Sequence, residues 1–322
     1  MLKNLDTRLH AADAPGQAQT ARLSAPDLAY HMRRGLAIAL QNLAGGKAPV
    51  KQPAPDSEWV ERGAGHFHLA PELFVQLSGW SVFRFPHGEL RLNAGELLVL
   101  PPRLQHTERI GTDEEAPFSN LVIYAEHSAL TCHLAHEKAP GEPGILHLEA
   151  GHHPEAQHIQ HWLTDAARLG RQPRGTEPMD WRTAQVRALV LAAGAGVMRA
   201  LDDLAVEARP EPPLVARARV LIHNQLGDHQ LSVRGLASQL GCTADYLSHL
   251  FRQHGGEALA GYINRQRMER AAHLLGETRL AIKEVAWSCG FDAPSYFIRT
   301  FRSHYGMTPK AWREGRKADG LL

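Results

Sequence analysis

One pattern occurs twice between Leu231 and Gly306, and this repeat restricts the fold more than any other stretch of the chain. The first copy, LSVRGLASQLGCTADYLSHLFRQHGG, runs from Leu231 to Gly256, and the second, LAIKEVAWSCGFDAPSYFIRTFRSHYG, from Leu280 to Gly306. Leu231, Val233, Ala237 and Gly241 recur as Leu280, Ile282, Ala286 and Gly290 at an offset of 49. Tyr246, Phe251, Arg252 and Gly256 recur as Tyr296, Phe301, Arg302 and Gly306 at an offset of 50. The extra residue of the second copy falls in the turn after the glycine, where insertions belong.

Each copy reads as helix, short turn, helix. In the first, Ser232 suits an N-cap, and Val233, Leu236, Ala237 and Leu240 have helical apolar spacing. Gly241 supplies a left-handed residue to end that helix. Thr243 then caps a second helix whose buried face is expected to carry Tyr246, Leu247, Leu250 and Phe251. The second copy repeats this with Ile282, Val285, Ala286 and Cys289, then Gly290, then Tyr296, Phe297 and Phe301. Such a pair is a helix-turn-helix or a plain helical hairpin. A third amphipathic stretch, Glu257 to Glu277, separates the copies, with Leu259, Tyr262, Ile263, Met268, Ala271, Ala272 and Leu275 on its buried side. Its roughly 20 residues span about 30 Å as a helix. That approaches the roughly 34–36 Å between successive major-groove faces of B-DNA. The rod would therefore set two recognition helices on adjacent turns of one duplex.

Residues from about Val215 to Arg316 resemble the DNA-binding domain of the AraC/XylS family of bacterial transcription regulators. The resemblance rests on LASQLGCTADYLSHLFR, YINRQRMERAAHLL, EVAWSCGF, YFIRTFR and GMTPKAWR. It implies seven helices, two helix-turn-helix units and promoter binding. Carried over residue by residue, it implies that Thr243, Ala244, Asp245, Ser248 and His249 of the first recognition helix face the groove, followed by Arg252. In the second, Ala293, Pro294, Ser295, Ile298 and Arg299 do so. Arg299 pairs with guanine or phosphate, Ser248 and Ser295 donate to either, and Asp245 accepts from cytosine N4. His249 departs from the Arg often found there and gives a pH-sensitive contact. Pro294 and Ile298 leave the second unit poor in hydrogen-bonding groups, suiting it to shape or thymine methyls. Arg252 and Arg302 alternatively belong to a solvated face or an ion pair, and Arg265 and Arg267 read as structural.

Charge agrees with this division. From Leu214 onward there are 15 Lys and Arg against 9 Asp and Glu, a net of +6, whereas the preceding residues carry 20 against 25, a net of −5. A basic module beside an acidic one suits phosphate binding by one domain only. Three cysteines, Cys132, Cys242 and Cys289, form no framework and point to reduced thiols in the cytoplasm, the last two as small buried hydrophobes. No run reaches the roughly 18 apolar residues of a membrane span, and the N-terminus lacks a secretory signal.

Toward the N-terminus, residues 1 to about 23 read as a polar arm, followed by a helix from Ser24 with a stripe of Leu28, Met32, Leu36 and Leu40, ended by Gly45 and Gly46. KAPVKQPAPDS is an extended proline-rich connection. From about Trp59 to Leu148 the chain reads as short strands, including LFVQLSG, WSVFRF, ELRLNAGELLVL and SNLVIYAEH, with His87 in a turn. GHFHLAPELFVQLSG and AGELLVLPPRLQH are similar to the two signature motifs of cupin barrels, which also resemble sensor domains placed before AraC-type modules. The glycine expected ahead of His66, the glycine expected at Arg103 and the asparagine expected at Ile110 are absent. His66, His68 and Glu72 share strand parity, and the resemblance adds His106 from a later strand. Two readings stand. The four hold a divalent metal (Zn²⁺, Fe²⁺, Mn²⁺ or Ni²⁺), or they line a metal-free effector pocket and hydrogen-bond within the barrel. No cofactor is required by the second.

Two helical stretches follow, Pro154 to Gly170 and Asp180 to Glu207. The stripe Trp181, Val186, Leu189, Val190, Ala193, Val197, Leu201 and Leu204 is expected to dimerise, or else to pack on the barrel. The expected architecture is thus multidomain α+β: an arm and helix over 1–58, a cupin-like barrel over 59–150, a helical dimerisation or packing segment over 151–207, a linker over 208–213, and an all-α DNA-binding domain with two helix-turn-helix units over 214–316. The expected function is a non-enzymatic, cytoplasmic transcription regulator, a homodimer that binds double-stranded promoter DNA and an unknown small-molecule effector, meets RNA polymerase if it activates, and does not involve a membrane. The alternatives are a metal-dependent cupin enzyme fused to a DNA-binding module, and a constitutive DNA-binding dimer without effector.

Overall fold

The computed structural model describes residues 3–4, 25–53, 65–86, 88–112, 117–126, 129–139, 142–150, 153–170, 181–207 and 212–318. Most of the N-terminal arm, His87 and most of the linker over 208–213 lie outside these residues. The chain forms two compact units that divide between Arg217 and Ala218.

The first unit is built of β1 (Lys3–Asn4), α1 (Ala25–Ala44), β2 (Val50–Lys51), β3 (Glu72–Ser78), β4 (Trp80–Phe85), β5 (Gly88–Asn93), β6 (Leu97–Leu100), β7 (Thr107–Gly111), β8 (Ser119–Glu126), β9 (Ala129–Ala139), β10 (Glu142–Ala150), α2 (Pro154–Gly170) and α3 (Trp181–Glu207). A four-stranded sheet has the order β1-β7-β4-β5, and a six-stranded sheet β10-β9-β8-β3-β6-β2. Among the described residues only the short β2–β6 pairing is parallel; the others are antiparallel. Alternation along the six-stranded sheet assigns its two faces. Leu73, Val75, Leu97, Val99, Leu121 and Ile123 point to the three helices and join the stripe of α1 in one core. Phe74, Leu98, Leu100 and Val122 point the other way and meet Phe83 and Leu92 of the smaller sheet in a second core.

The α3 stripe corrects its basis for dimerisation. Val186, Val190, Ala193, Val197, Leu201 and Leu204 are buried in the core shared with α1 and α2, and only Trp181, at 68% exposure, stands out. The stripe thus has its cover within the chain. An 18-residue window within Trp181–Leu204 is apolar enough on average to cross a membrane, although no unbroken apolar run reaches that length, as the sequence leads one to expect. Arg187 and Arg199 interrupt the run but leave its mean high.

The second unit is helical. Between Pro213 and Ala318 stand α4 (Pro213–Gln225), α5 (Val233–Gln239), α6 (Ala244–Gly255), α7 (Leu259–Glu277), α8 (Ile282–Ser288), α9 (Pro294–Tyr305) and α10 (Pro309–Ala318), seven helices as the resemblance implies. The caps follow local chemistry. Ser232 Oγ accepts from Gly235 N at 3.1 Å, and Thr243 Oγ1 from Tyr246 N at 3.2 Å. Gly241 and Gly290 adopt φ of +68° and +74° where the first helix of each pair ends. The extra residue of the second copy lies in that turn, between Gly290 and Ala293, the N-cap of α9. The long α7 buries Leu259, Ile263, Met268, Ala271, Leu274 and Leu275.

Candidate nucleic-acid interface and histidine cluster

The recognition helices α6 and α9 are held by the same device. Leu247 and Phe251 anchor α6, and Phe297 and Phe301 anchor α9, all fully buried. In α9 the Phe297 and Phe301 rings lie 5.7 Å apart, and Phe301 meets the Tyr305 and Trp312 rings at 4.8 and 5.9 Å. Burying two large apolar side chains, one of them aromatic in α6 and both in α9, fixes each helix without using its outer face. That face carries Thr243, Asp245, His249 and Arg252 exposed, with Ala244 and Ser248 half-buried. On α9, Ala293, Ser295, Ile298 and Arg299 are exposed and Pro294, in the first turn, half-buried.

Two residues differ from the sequence expectation. Tyr246 and Tyr296, assigned above to the buried faces, are 55% and 53% exposed. Each occupies the third helical position, just past the anchors' arc, so its ring sits at the edge of the outer face. Sequence spacing alone does not separate that edge from the core. Cys289 is buried, and burial, opposed by Arg270 and Arg267, pushes its thiol up to about 12. Cys242 is only half-buried, because it follows Gly241 in the turn, whereas Cys289 ends α8 ahead of Gly290.

Arg265 and Arg267 have structural partners. Arg265 donates to Glu257 Oε1 at 2.7 Å and Glu269 Oε1 at 2.9 Å. Arg267 is 8% exposed and donates from Nη2 to the Asp228 carbonyl at 2.7 Å and from Nε to the Leu226 carbonyl at 3.3 Å.

In the first unit, His66 and His106 form an isolated antiparallel bridge, each amide donating to the other's carbonyl at 2.9 Å. Gly65 permits it: its φ is +84°, and a Cβ there would come within 2.2 Å of the His106 carbonyl oxygen. Arg103, where the cupin motif expects glycine, keeps the left-handed backbone at φ +66° and donates its amide to the His68 carbonyl at 2.7 Å. The bridge brings His66, His68 and His106 together, with one ring nitrogen of each within 4.8 Å of the others. Glu72 approaches His68 Nε2 at 3.4 Å and His106 Nε2 at 3.8 Å.

Sequence reasoning missed Glu108, whose Oε1 lies 3.6 Å from His106 Nε2. The signal was present, since His106 and Glu108 are two apart on one strand and share a face. Tyr124 was also missed; it sits beside Glu72 across β3 and β8, and its ring stacks on His68 at 6.1 Å. Burial pushes the Glu72 carboxyl up to about 8, opposed by His106 and reinforced by Glu108. Burial would lower His106, but Glu108, Glu72 and the Leu104 carbonyl outweigh it and raise the imidazole to about 9.

The family described as a helix-turn-helix domain matches residues 236–315, from the first recognition unit through the second. The arabinose operon regulatory protein of Salmonella typhimurium is 27% identical over 208 residues, covering 54% of this chain and 73% of that protein. The C-terminal domain is a helix-turn-helix domain of the AraC type. The transcriptional regulator GadX of Escherichia coli O6:H1 is 34% identical over 104 residues, covering 32% of this chain but only 37% of GadX. Among solved structures, the DNA-binding domain of AdpA in complex with a target DNA is 28% identical, with a TM-score of 0.31, covering 33% of this chain and 95% of that one. The AraC-type domain is a DNA-binding helix-turn-helix domain of transcription regulators.

Proposed function

We propose that the protein is a sequence-specific regulator that binds promoter DNA through α6 and α9 and a small molecule through its N-terminal unit. The observation that carries the DNA reading is the pair of recognition helices, each anchored by two fully buried apolar side chains and each turning an outer face to solvent. Thr243, Ala244, Asp245, Ser248, His249 and Arg252, with Ala293, Ser295, Ile298 and Arg299, are the residues assigned to the duplex. Selection of bound duplexes from a random pool, with the full-length protein at fixed salt, tests it. A motif of two blocks about one helical turn apart supports reading by both units. A single short block removes base reading from α9, and no enrichment by folded protein defeats the proposal.

The N-terminal unit is read as a cupin-like sensor. The histidine cluster fits a divalent ion of the zinc, iron, manganese or nickel type. His106 Nδ1 lies 2.9 Å from the Leu104 carbonyl, so it carries the proton and leaves the Nε2 lone pair for a ligand bond. His66, His68, His106 and Glu72 would hold the ion, which would supply a Lewis-acid anchor for an oxygen-bearing ligand. The same residues support a metal-free pocket through the His68–Glu72 pair. A ligand must bind one state of the regulator more tightly than the other to control it. Thermal unfolding with and without candidate ligands distinguishes a sensor from a constitutive DNA-binding protein. For a homodimer, the outer side of α3 is the surface assigned: Trp181, Ala184, Ala188 and Ala195 are exposed there, flanked by half-buried Leu191 and Met198. The reading is cytoplasmic and non-enzymatic, with RNA polymerase as a further partner where the protein activates.

A further inference from the structure

Three segments that are distant in sequence meet at one buried point in the second unit. Arg267 of α7 donates to the carbonyls of Leu226 and Asp228, in the turn that leads into α5. Its guanidinium also lies 5.5 Å from the Phe291 ring, in the turn between α8 and α9. The two turns touch directly. A Cβ on Gly290 would lie 2.7 Å from both Arg267 Nη2 and the Leu226 carbonyl oxygen, and one on Gly227 would lie 3.1 Å from the Ser288 carbonyl oxygen.

From this point, contacts run to both recognition helices. Toward α6, Gln225 at the end of α4 and Gln239 of α5 exchange amide hydrogen bonds at 2.8 and 3.3 Å, and α5 packs on α6. Toward α9, the Phe291 ring meets Tyr296 at 6.0 Å and Phe297 at 5.4 Å. A buried guanidinium is costly unless its donors are used, and two of them are spent on carbonyls in the turn that leads into the first helix-turn-helix unit.

We propose that Arg267 is a positioning residue that fixes the spacing and angle between the two recognition helices, and so makes the protein selective for the distance between its two DNA blocks. The inference rests on the DNA-binding reading above. Arg267 touches no DNA in this role; it acts by making α6 and α9 one rigid reader. Two rigidly linked contacts gain the large effective concentration of bivalent binding only at the matching span. One inserted base pair moves the second block by about 3.4 Å and rotates it by about 35°.

The test uses the full-length protein and the duplex it selects from a random pool, alongside the same duplex with one base pair inserted or deleted between the blocks. Wild type should prefer the native spacing by roughly 100-fold. Arg267→Met keeps an unbranched side chain as far as the ε position but loses both hydrogen bonds, and its preference should fall toward unity. Arg267→Lys should fall between the two, because an ammonium cannot serve both carbonyls and stack on Phe291. Arg265→Met, two residues away on the same helix, should keep the wild-type ratio. Loss of folded protein lowers binding to all duplexes alike, so the ratio isolates positioning from stability. Folded Arg267→Met with the wild-type ratio overturns the proposal. If Arg267→Met does not fold, a wild-type ratio in Arg267→Lys overturns it instead. Wild type that binds every spacing equally also overturns it, while wild type that selects no duplex refutes the DNA-binding reading itself.

Discussion

Gly290→Ala tests the junction through stability alone. At φ +74° an alanine costs about 1–2 kcal/mol, because its Cβ crowds the following carbonyl. The new Cβ also falls 2.7 Å from the Leu226 carbonyl oxygen, 2.7 Å from Arg267 Nη2 and 2.9 Å from Arg267 Cζ. The first is backbone, and the second is held by two hydrogen bonds, so neither yields as a free side chain would. Overpacking of this kind adds about 1–3 kcal/mol. Gly306 is a built-in control: its φ is +75°, but a Cβ there meets nothing within 4 Å. Gly306→Ala should therefore lose only the backbone contribution. The difference between the variants, about 1–3 kcal/mol, corresponds to roughly 5- to 150-fold in an opening equilibrium. A chain of two units need not unfold in one step, so a single melting temperature is a poor readout. Hydrogen exchange of the intact protein, followed on peptides from α8 and α9, reads the local opening. Equal acceleration in the two variants would show that the junction yields at no cost, and the rigidity argued for it would be wrong.

Arg299→Ala should weaken specific binding by about 1–3 kcal/mol at fixed salt; unchanged affinity by fluorescence anisotropy places Arg299 outside the groove. Thr243→Ala should destabilise α6 by about 1 kcal/mol, whereas Ala293→Ser should stabilise α9, whose N-cap makes no side-chain bond; hydrogen exchange of both variants measures the opposite signs. In the metal-free protein, Glu72 near 8 and His106 near 9 both hold protons that the unfolded chain releases sooner. Their contribution to stability is full below pH 4.5, where the unfolded carboxyl still holds its proton, and is lost progressively as pH rises to 9. Metal needs the ionised carboxylate and the neutral imidazole, so stabilisation by added Zn²⁺ should grow over that window and vanish in His106→Ala. A Zn²⁺ effect that stays flat with pH, in thermal unfolding, would exclude the cluster as its site.

Much of the second unit was legible because its information is local and stated twice. Ser232, Thr243, Gly241 and Gly290 are caps and turns whose chemistry is decided within a few residues, and the structure places each in that role. Tyr246 and Tyr296 were misassigned because helical periodicity fixes a side chain's direction only to within an arc. The first unit was legible as strands and helices, but its pairing was not. Tyr124 reaches the histidine cluster through the register of β8 against β3, which no short-range pattern specifies, whereas Glu108 stands two residues from His106 and was open to the same parity argument. The partner of the α3 stripe was likewise hidden, since an apolar face shows that it needs cover without showing from where. Arg267 carried no distinguishing mark in the sequence; its partners lie 41 and 39 residues away.

The phenylalanine anchors of α6 and α9 separate what the domain is from what it reads. Leu247, Phe251, Phe297 and Phe301 spend their surface on the core, while residues 245, 249, 295, 298 and 299 spend theirs on solvent. Surface substitutions of that kind usually change stability by within about 0.5 kcal/mol. The outward positions are therefore free to drift, and a lineage carrying this scaffold can acquire a new target site through a few changes without passing through an unfolded ancestor.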